Sequence, residues 1–245
     1  MVVVVGVRHV ARPAGVHVSG PTRSLARRYA AWRVGRGLDG LHVAGVDGLR
    51  AQLARGPVLA AANHVAWWDG LVALAIGHHL GADVALVAQA ETLERYPWLS
   101  GAGVIPLGRG PRLRSTLRAA ERFLDRPGRM LWYFPQGRQR PDSVRPLGFQ
   151  RGISLLARHL RVAPTPVALA YPFREVEVPA AALVVRDPVP AEAVEDWVEA
   201  GLSVIGRWAD GRPDPLDPSF SAVLGSRRTP VQQGVGARML TAVVR

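Results

Sequence analysis

The sequence contains no cysteine. That excludes disulfides, thiolate metal sites and any mechanism that passes through a covalent cysteine intermediate, and the missing disulfide framework favours a reducing compartment. Lysine is absent too, so all 31 basic side chains are arginine. Genomic base composition is the simplest reason for that choice, although a guanidinium also grips phosphate through two parallel N–H bonds. No uninterrupted apolar run approaches the ~18 residues expected of a membrane-spanning helix. The opening Met1-Val2-Val3-Val4-Val5-Gly6-Val7 lacks a basic lead and is cut short by Arg8 and His9, which argues against a signal sequence. What remains is an ordinary globular composition, 245 residues with 48% hydrophobic content, enough for one full core.

The net charge of +12 is unevenly spread. Residues 1–60 carry nine Arg against two Asp, and residues 109–151 carry eleven Arg against three acids. Residues 61–108 have one Arg against four acids, while residues 152–245 balance at ten and ten. Two basic blocks of this kind suit anionic lipid head groups, nucleic acid or a phosphorylated substrate. No nucleic-acid-binding motif accompanies them and the middle of the chain is acidic, so nucleic acid is not expected as a partner.

Residues 21–38 read as a basic amphipathic helix, with Leu25, Tyr29 and Trp32 at i, i+4 and i+7 and with Arg23, Arg27, Arg28, Arg33 and Arg36 mostly on other faces. Trp and Tyr above a basic flank would suit a helix lying in a membrane interface. A surface helix packing the same stripe on the core fits equally well. Beyond it, apolar runs predict strands at 41–45, 57–62, 83–88, 103–107, 129–134, 166–170 and 182–185. Helices are expected at about 69–80, 91–96, 112–126, 152–160 and 191–209. Strands alternating with helices predict an α/β domain with a mostly parallel central sheet flanked by helices. The expected organisation is an N-terminal strand and helix at 1–38, a main domain at 39–209 and a Pro-marked tail at 210–245 that is either loop or a docked extension.

The most informative stretch is Asn63-His64-Val65-Ala66-Trp67-Trp68-Asp69, directly after the apolar run 57–62. A neutral imidazole removes a proton from a hydroxyl best when a carboxylate holds its other nitrogen, fixing the tautomer and stabilising the imidazolium that forms. Residues five apart on one continuous helix diverge by roughly 140°. His64 and Asp69 therefore converge only if His64 lies in the loop before a helix that Asp69 begins. The alternative is an Asp cap beside an incidental His. The pair His78-His79 diverges on a helix and has no third ligand in sight, so no metal is expected.

Three further segments follow: Gly103-Val104-Ile105-Pro106-Leu107-Gly108-Arg109, Phe134-Pro135-Gln136-Gly137-Arg138-Gln139-Arg140, and Pro164-Thr165-Pro166-Val167-Ala168-Leu169. With the first, they resemble in order and spacing the four motifs of the glycerolipid acyltransferases, the family of 1-acyl-glycerol-3-phosphate acyltransferases, whose first motif is Asn-His-x4-Asp. The resemblance covers about residues 40–190, and Phe149-Gln150-Arg151-Gly152 is similar to the family's Phe-Lys-x-Gly stretch. It implies that His64, oriented by Asp69, deprotonates an acceptor hydroxyl, which attacks the thioester of acyl-CoA or acyl-carrier protein without a covalent enzyme intermediate. No cofactor is implied beyond that acyl co-substrate. The resemblance further implies substrate contacts from Asn63, Arg109, Gln136, Gly137, Arg138, Arg140 and Arg151, with Pro166 and Val167 in the acyl-chain region. Trp67 and Trp68 would join that region or simply pack in the core.

The third motif departs from the family's usual Phe-Pro-Glu-Gly-Thr-Arg-Ser. Gln136 stands for Glu, Arg138 for Thr, Gln139 for Arg and Arg140 for Ser, which removes one negative charge and shifts the positive charge. The expectation is a lysophospholipid or related lipid acceptor, not necessarily the usual one. The enzyme would be peripheral, on the cytoplasmic face of the membrane against anionic lipid. The competing reading is a catalytically idle lipid-binding protein on the same fold, against which the retention of His64 and Asp69 speaks.

Overall fold

The computed structural model of the chain describes residues 20–226 except 109 and 175. The strand expected before residue 20 and the tail beyond residue 226 lie outside the described residues. Eight strands form one mixed sheet: β1 (Leu41–Ala44), β2 (Val58–Ala62), β3 (Asp83–Gln89), β4 (Val104–Leu107), β5 (Arg129–Tyr133), β6 (Pro164–Ala170), β7 (Ala181–Val185) and β8 (Phe220–Leu224). Their spatial order is β4-β3-β5-β2-β6-β7-β1-β8. The first five run parallel, β7 turns antiparallel to β6, β1 is parallel to β7, and β8 closes the edge antiparallel to β1. This is the mostly parallel α/β sheet that the alternating pattern predicts.

Helices cover both faces. On one side α1 (Gly20–Gly37), α2 (Val46–Arg55) and α3 (Trp68–Leu80) share a core with Val84, Met130, Trp132 and Leu169. On the other, after the short α4 (Ala90–Arg95), lie α5 (Leu113–Phe123), α6 (Gly152–Leu160) and α7 (Val194–Ala209), packed with Leu59, Leu131, Ala168 and Val184. Coverage on both faces explains why β2 reads Val-Leu-Ala-Ala-Ala with every residue buried: a central parallel strand has no solvent side to leave polar. Small residues also let the layers close. A Cβ on Gly201 of α7 would lie 2.6 Å from the Ala168 methyl, so only glycine permits that approach to β6.

The helix expected at 112–126 ends sooner, at Phe123. There the Arg129 guanidinium donates to the free Phe123 carbonyl at 2.7 Å, doing the work of a C-cap. Two elements were not foreseen, α2 and β8; the second makes part of the expected tail an edge strand of the sheet.

On α1 the structure separates the two readings of the apolar stripe. Ala30, Ala31, Val34 and Leu38 are buried against the core, whereas Leu25, Tyr29 and Trp32 are 67%, 48% and 42% exposed. Arg23 and Arg27 turn inward to Asp83 at the start of β3, at 3.0 and 2.7 Å. Arg28 and Arg36 remain exposed, and the Arg36 guanidinium lies 5.5 Å from the centre of the Trp32 ring.

Candidate active site

Ligands of parallel α/β sheets gather beyond the carboxyl ends of the strands. Here β2, β5, β3 and β4 are consecutive neighbours running the same way, so the segments that follow them meet at one edge. β2 delivers Asn63 and His64, and β5 delivers Phe134, Pro135 and Gln136. β3 ends on Gln89, and β4 ends at Leu107.

His64 sits in the loop before α3, and Asp69 lies in the first turn of that helix. This is the arrangement that allows them to converge. His64 Nδ1–H donates to Asp69 Oδ2 at 2.5 Å, fixing the tautomer and leaving Nε2 for a substrate. Asp69 is fully buried. Its Oδ2 also accepts the Val65 and Ala66 N–H groups at 2.7 and 3.1 Å, so the intervening loop wraps the carboxylate. The positive end of α3 adds to its stabilisation. The imidazole stacks on Phe134, with ring centres 4.6 Å apart.

Gln136 is buried, and both ends of its amide are engaged. Oε1 accepts the His64 N–H at 2.5 Å, and Nε2 donates to the Leu147 carbonyl at 3.0 Å. A carboxylate at this position would set acceptor against acceptor at Leu147. The amide therefore suits the local backbone, and through it the departure from the family's Glu bears on how the His64 loop is held. The same two segments are tied again by Arg140, whose backbone N–H donates to the His64 carbonyl and whose guanidinium donates to Leu147 O at 2.7 Å. Gly137 has φ 67, the left-handed region that the turn requires. Its carbonyl accepts from Gln89 Nε2 at 2.7 Å.

A cavity of about 1130 Å³ opens beside this edge. Its polar lining includes His64, Gln136, Gly137, Arg138, Gln139 and Gln150, with Gln89, Glu91 and Arg95 from the β3 end and α4. Gly70, Leu71 and Leu74 carry its wall down α3, about 10 Å from Trp67 to Leu74 at 1.5 Å per residue. Leu86, Leu99, Ala102 and Val104 extend the apolar lining. Such a space, apolar with a few convergent polar groups, is the common form of a small-molecule site.

Of the residues expected at the site, His64, Trp67, Gln136, Gly137 and Arg138 come together on this cavity. Arg109 lies outside the described residues. Asn63 is buried and spends its amide on the backbone of β6, donating to Leu169 O and accepting Leu169 N–H, both at 2.8 Å. Trp68 packs behind, with the Arg33 guanidinium over its ring. Pro166 and Val167 sit in the buried sheet away from the lining, opposite Ala61 and Ala62 of β2. Arg151 is exposed at the start of α6. Sequence reasoning missed Gln89, Arg95, Tyr133 and Gln150, all on the cavity. The first and third were legible as residues at the carboxyl ends of strands.

The strands and loops that meet at this edge fall within a stretch matched by an acyltransferase family model. The family model described as Acyltransferase matches residues 41–170, from β1 to the end of β6 and slightly more than half of the 245 residues. The chain belongs to that family, the glycerolipid acyltransferases. It matches no curated protein.

Proposed function

We propose that the enzyme moves a fatty acyl group from acyl-CoA or acyl-carrier protein to a hydroxyl of a lysophospholipid or related lipid, with His64 as the general base and Asp69 as the group that orients it. The observation that carries this reading is the His64 Nδ1 to Asp69 Oδ2 hydrogen bond of 2.5 Å at the polar end of an apolar-lined cavity. His64 Nε2 takes the acceptor's hydroxyl proton as the oxygen attacks the thioester carbonyl. The tetrahedral intermediate then collapses, the C–S bond breaks, and the departing thiolate recovers the proton from the imidazolium. The apolar lining from Leu71 to Val104 takes the acyl chain, while Arg138 and Arg95 offer charge to phosphate on acceptor or donor. The test is thiol release from palmitoyl-CoA, and from palmitoyl-acyl-carrier protein, across a panel of lyso-lipids. No acceptor-dependent release with either donor would sink the proposal.

Membrane attachment belongs to the same reading. Among the described residues no helix is long and apolar enough to cross a membrane. The supporting feature is the outward Leu25, Tyr29 and Trp32 stripe with Arg28 and Arg36 beside it, and Trp67 at the cavity is also about half exposed. Aromatic rings with flanking cations suit the head-group layer of an anionic leaflet. Changing Leu25, Tyr29 and Trp32 together to Ser is expected to lower co-sedimentation with phosphatidylglycerol-containing vesicles at least about tenfold, given the apolar area removed. Thermal stability should change little, because these side chains face away from the core. Undiminished binding would remove the stripe as the anchor.

A further inference from the structure

Tyr171, immediately after β6, is a partly buried side chain whose hydroxyl the proposed chemistry leaves unused. Its Oη–H donates to Asp69 Oδ1 at 2.7 Å. Asp69 is thus held unequally: three donors meet Oδ2, namely His64 Nδ1–H and the Val65 and Ala66 N–H groups, and Tyr171 meets Oδ1. Without that hydroxyl, Oδ1 would be a buried anionic oxygen lacking a partner, which is costly. The carboxylate could then relieve it by rotating, sharing the backbone donors between both oxygens and drawing Oδ2 off the imidazole.

We infer that Tyr171 is a positioning residue for the base, its hydroxyl fixing the rotation of the Asp69 carboxylate so that Oδ2 keeps the His64 ring aimed into the cavity. The inference rests on the reading of His64 and Asp69 as base and orienter. Tyr171 does not line the catalytic cavity; its ring instead walls a second one of about 340 Å³, with Arg145, Leu202 and Ile205, which shares no lining residue with the first. It therefore acts through Asp69 and not on the substrate. Burial, and then the neighbouring Asp69 charge, push the Tyr171 phenol well above its ordinary range. The hydroxyl therefore keeps its proton at neutral pH and acts as a donor.

The experiment compares the full-length protein with Tyr171→Phe in the palmitoyl-CoA assay. A fall in kcat of about tenfold is expected, the low end for a hydrogen bond to a charged group. The KM for palmitoyl-CoA should stay within about twofold, and in an Asp69→Asn background the same change should cost less than about twofold, since the two residues form one unit. A parallel readout needs no substrate: the low-field proton NMR signal of His64 Nδ1–H, assigned by its absence in His64→Ala, should move or broaden in Tyr171→Phe while the amide spectrum stays dispersed. An unmoved signal would overturn the inference, as would an undiminished loss in the Asp69→Asn background or a KM that rises in step with falling kcat. If the wild type releases no thiol at all, the proposed function fails, and the NMR comparison still decides Tyr171.

Discussion

Replacing His64 by Ala is expected to cut acceptor-dependent thiol release by about a thousandfold, within the usual range for removing a positioned general base. The fold should survive the change. The His64 side chain is 24% exposed, and its side-chain hydrogen bond goes to Asp69. Asp69 would keep the Val65, Ala66 and Tyr171 donors. The imidazole's stacking on Phe134 is lost, at a small cost in stability. Circular dichroism and a melting curve close to the wild type's, together with collapsed turnover, would place the defect in the chemistry. Activity within tenfold of the wild type would remove His64 from the role of base.

The second large effect concerns stability. Asn63→Ala is expected to destabilise the protein by about 3 kcal/mol, because both the N–H and the carbonyl of Leu169 lose their buried partner at a cost of roughly 1–3 kcal/mol each. For a chain of this size that lowers the midpoint of thermal unfolding by about 6–12 °C. The residue type explains the position. A primary amide alone among small side chains offers one donor and one acceptor in the plane that a backbone peptide presents, so Asn63 continues the β2 to β6 ladder past the last backbone pair, Ala62 with Val167. A melting point within 2 °C of the wild type combined with a raised KM would instead return Asn63 to the substrate-contact role that the resemblance implies.

How much of this was legible depends on how far apart the partners lie in sequence. His64 and Asp69 are five residues apart, and their meeting follows from loop-then-helix geometry that the apolar pattern supplies. The couplings from Gln136 to His64, Asn63 to Leu169 and Tyr171 to Asp69 span 72, 106 and 102 residues. They depend on β5, β2 and β6 lying side by side, which no local pattern dictates. Gln136 stands out in the sequence as a departure from the family's Glu, but its amide bridge between His64 and Leu147 is visible only in the folded chain.

On α1 the stripe of Leu25, Tyr29 and Trp32 fits a membrane interface and the core equally well from sequence, and the face that the fold buries is Ala30, Ala31, Val34 and Leu38. Close approach decides it. A Cβ on Gly37 would lie 2.3 Å from the Trp68 ring, a gap that small residues close and large aromatics cannot. The α2 helix was legible, since Val46, Leu49 and Leu53 recur at helical spacing with Gln52 beside them. Gly45 and Gly48 weaken the signal, since glycine is a poor helix former. β8 was less so, being five residues among prolines with two of its side chains exposed.

That edge strand also says how far the folding unit must extend. β1 opens the segment that carries the family match, yet its neighbours in the sheet are β7 and β8, which lie beyond residue 170. A chain cut at the family boundary would leave its first strand with no hydrogen-bonded neighbour, its backbone groups bare and its apolar side chains uncovered. The motifs would all be present, but the sheet that assembles them would begin with an orphan. Any shortened form of this enzyme must therefore reach Leu224.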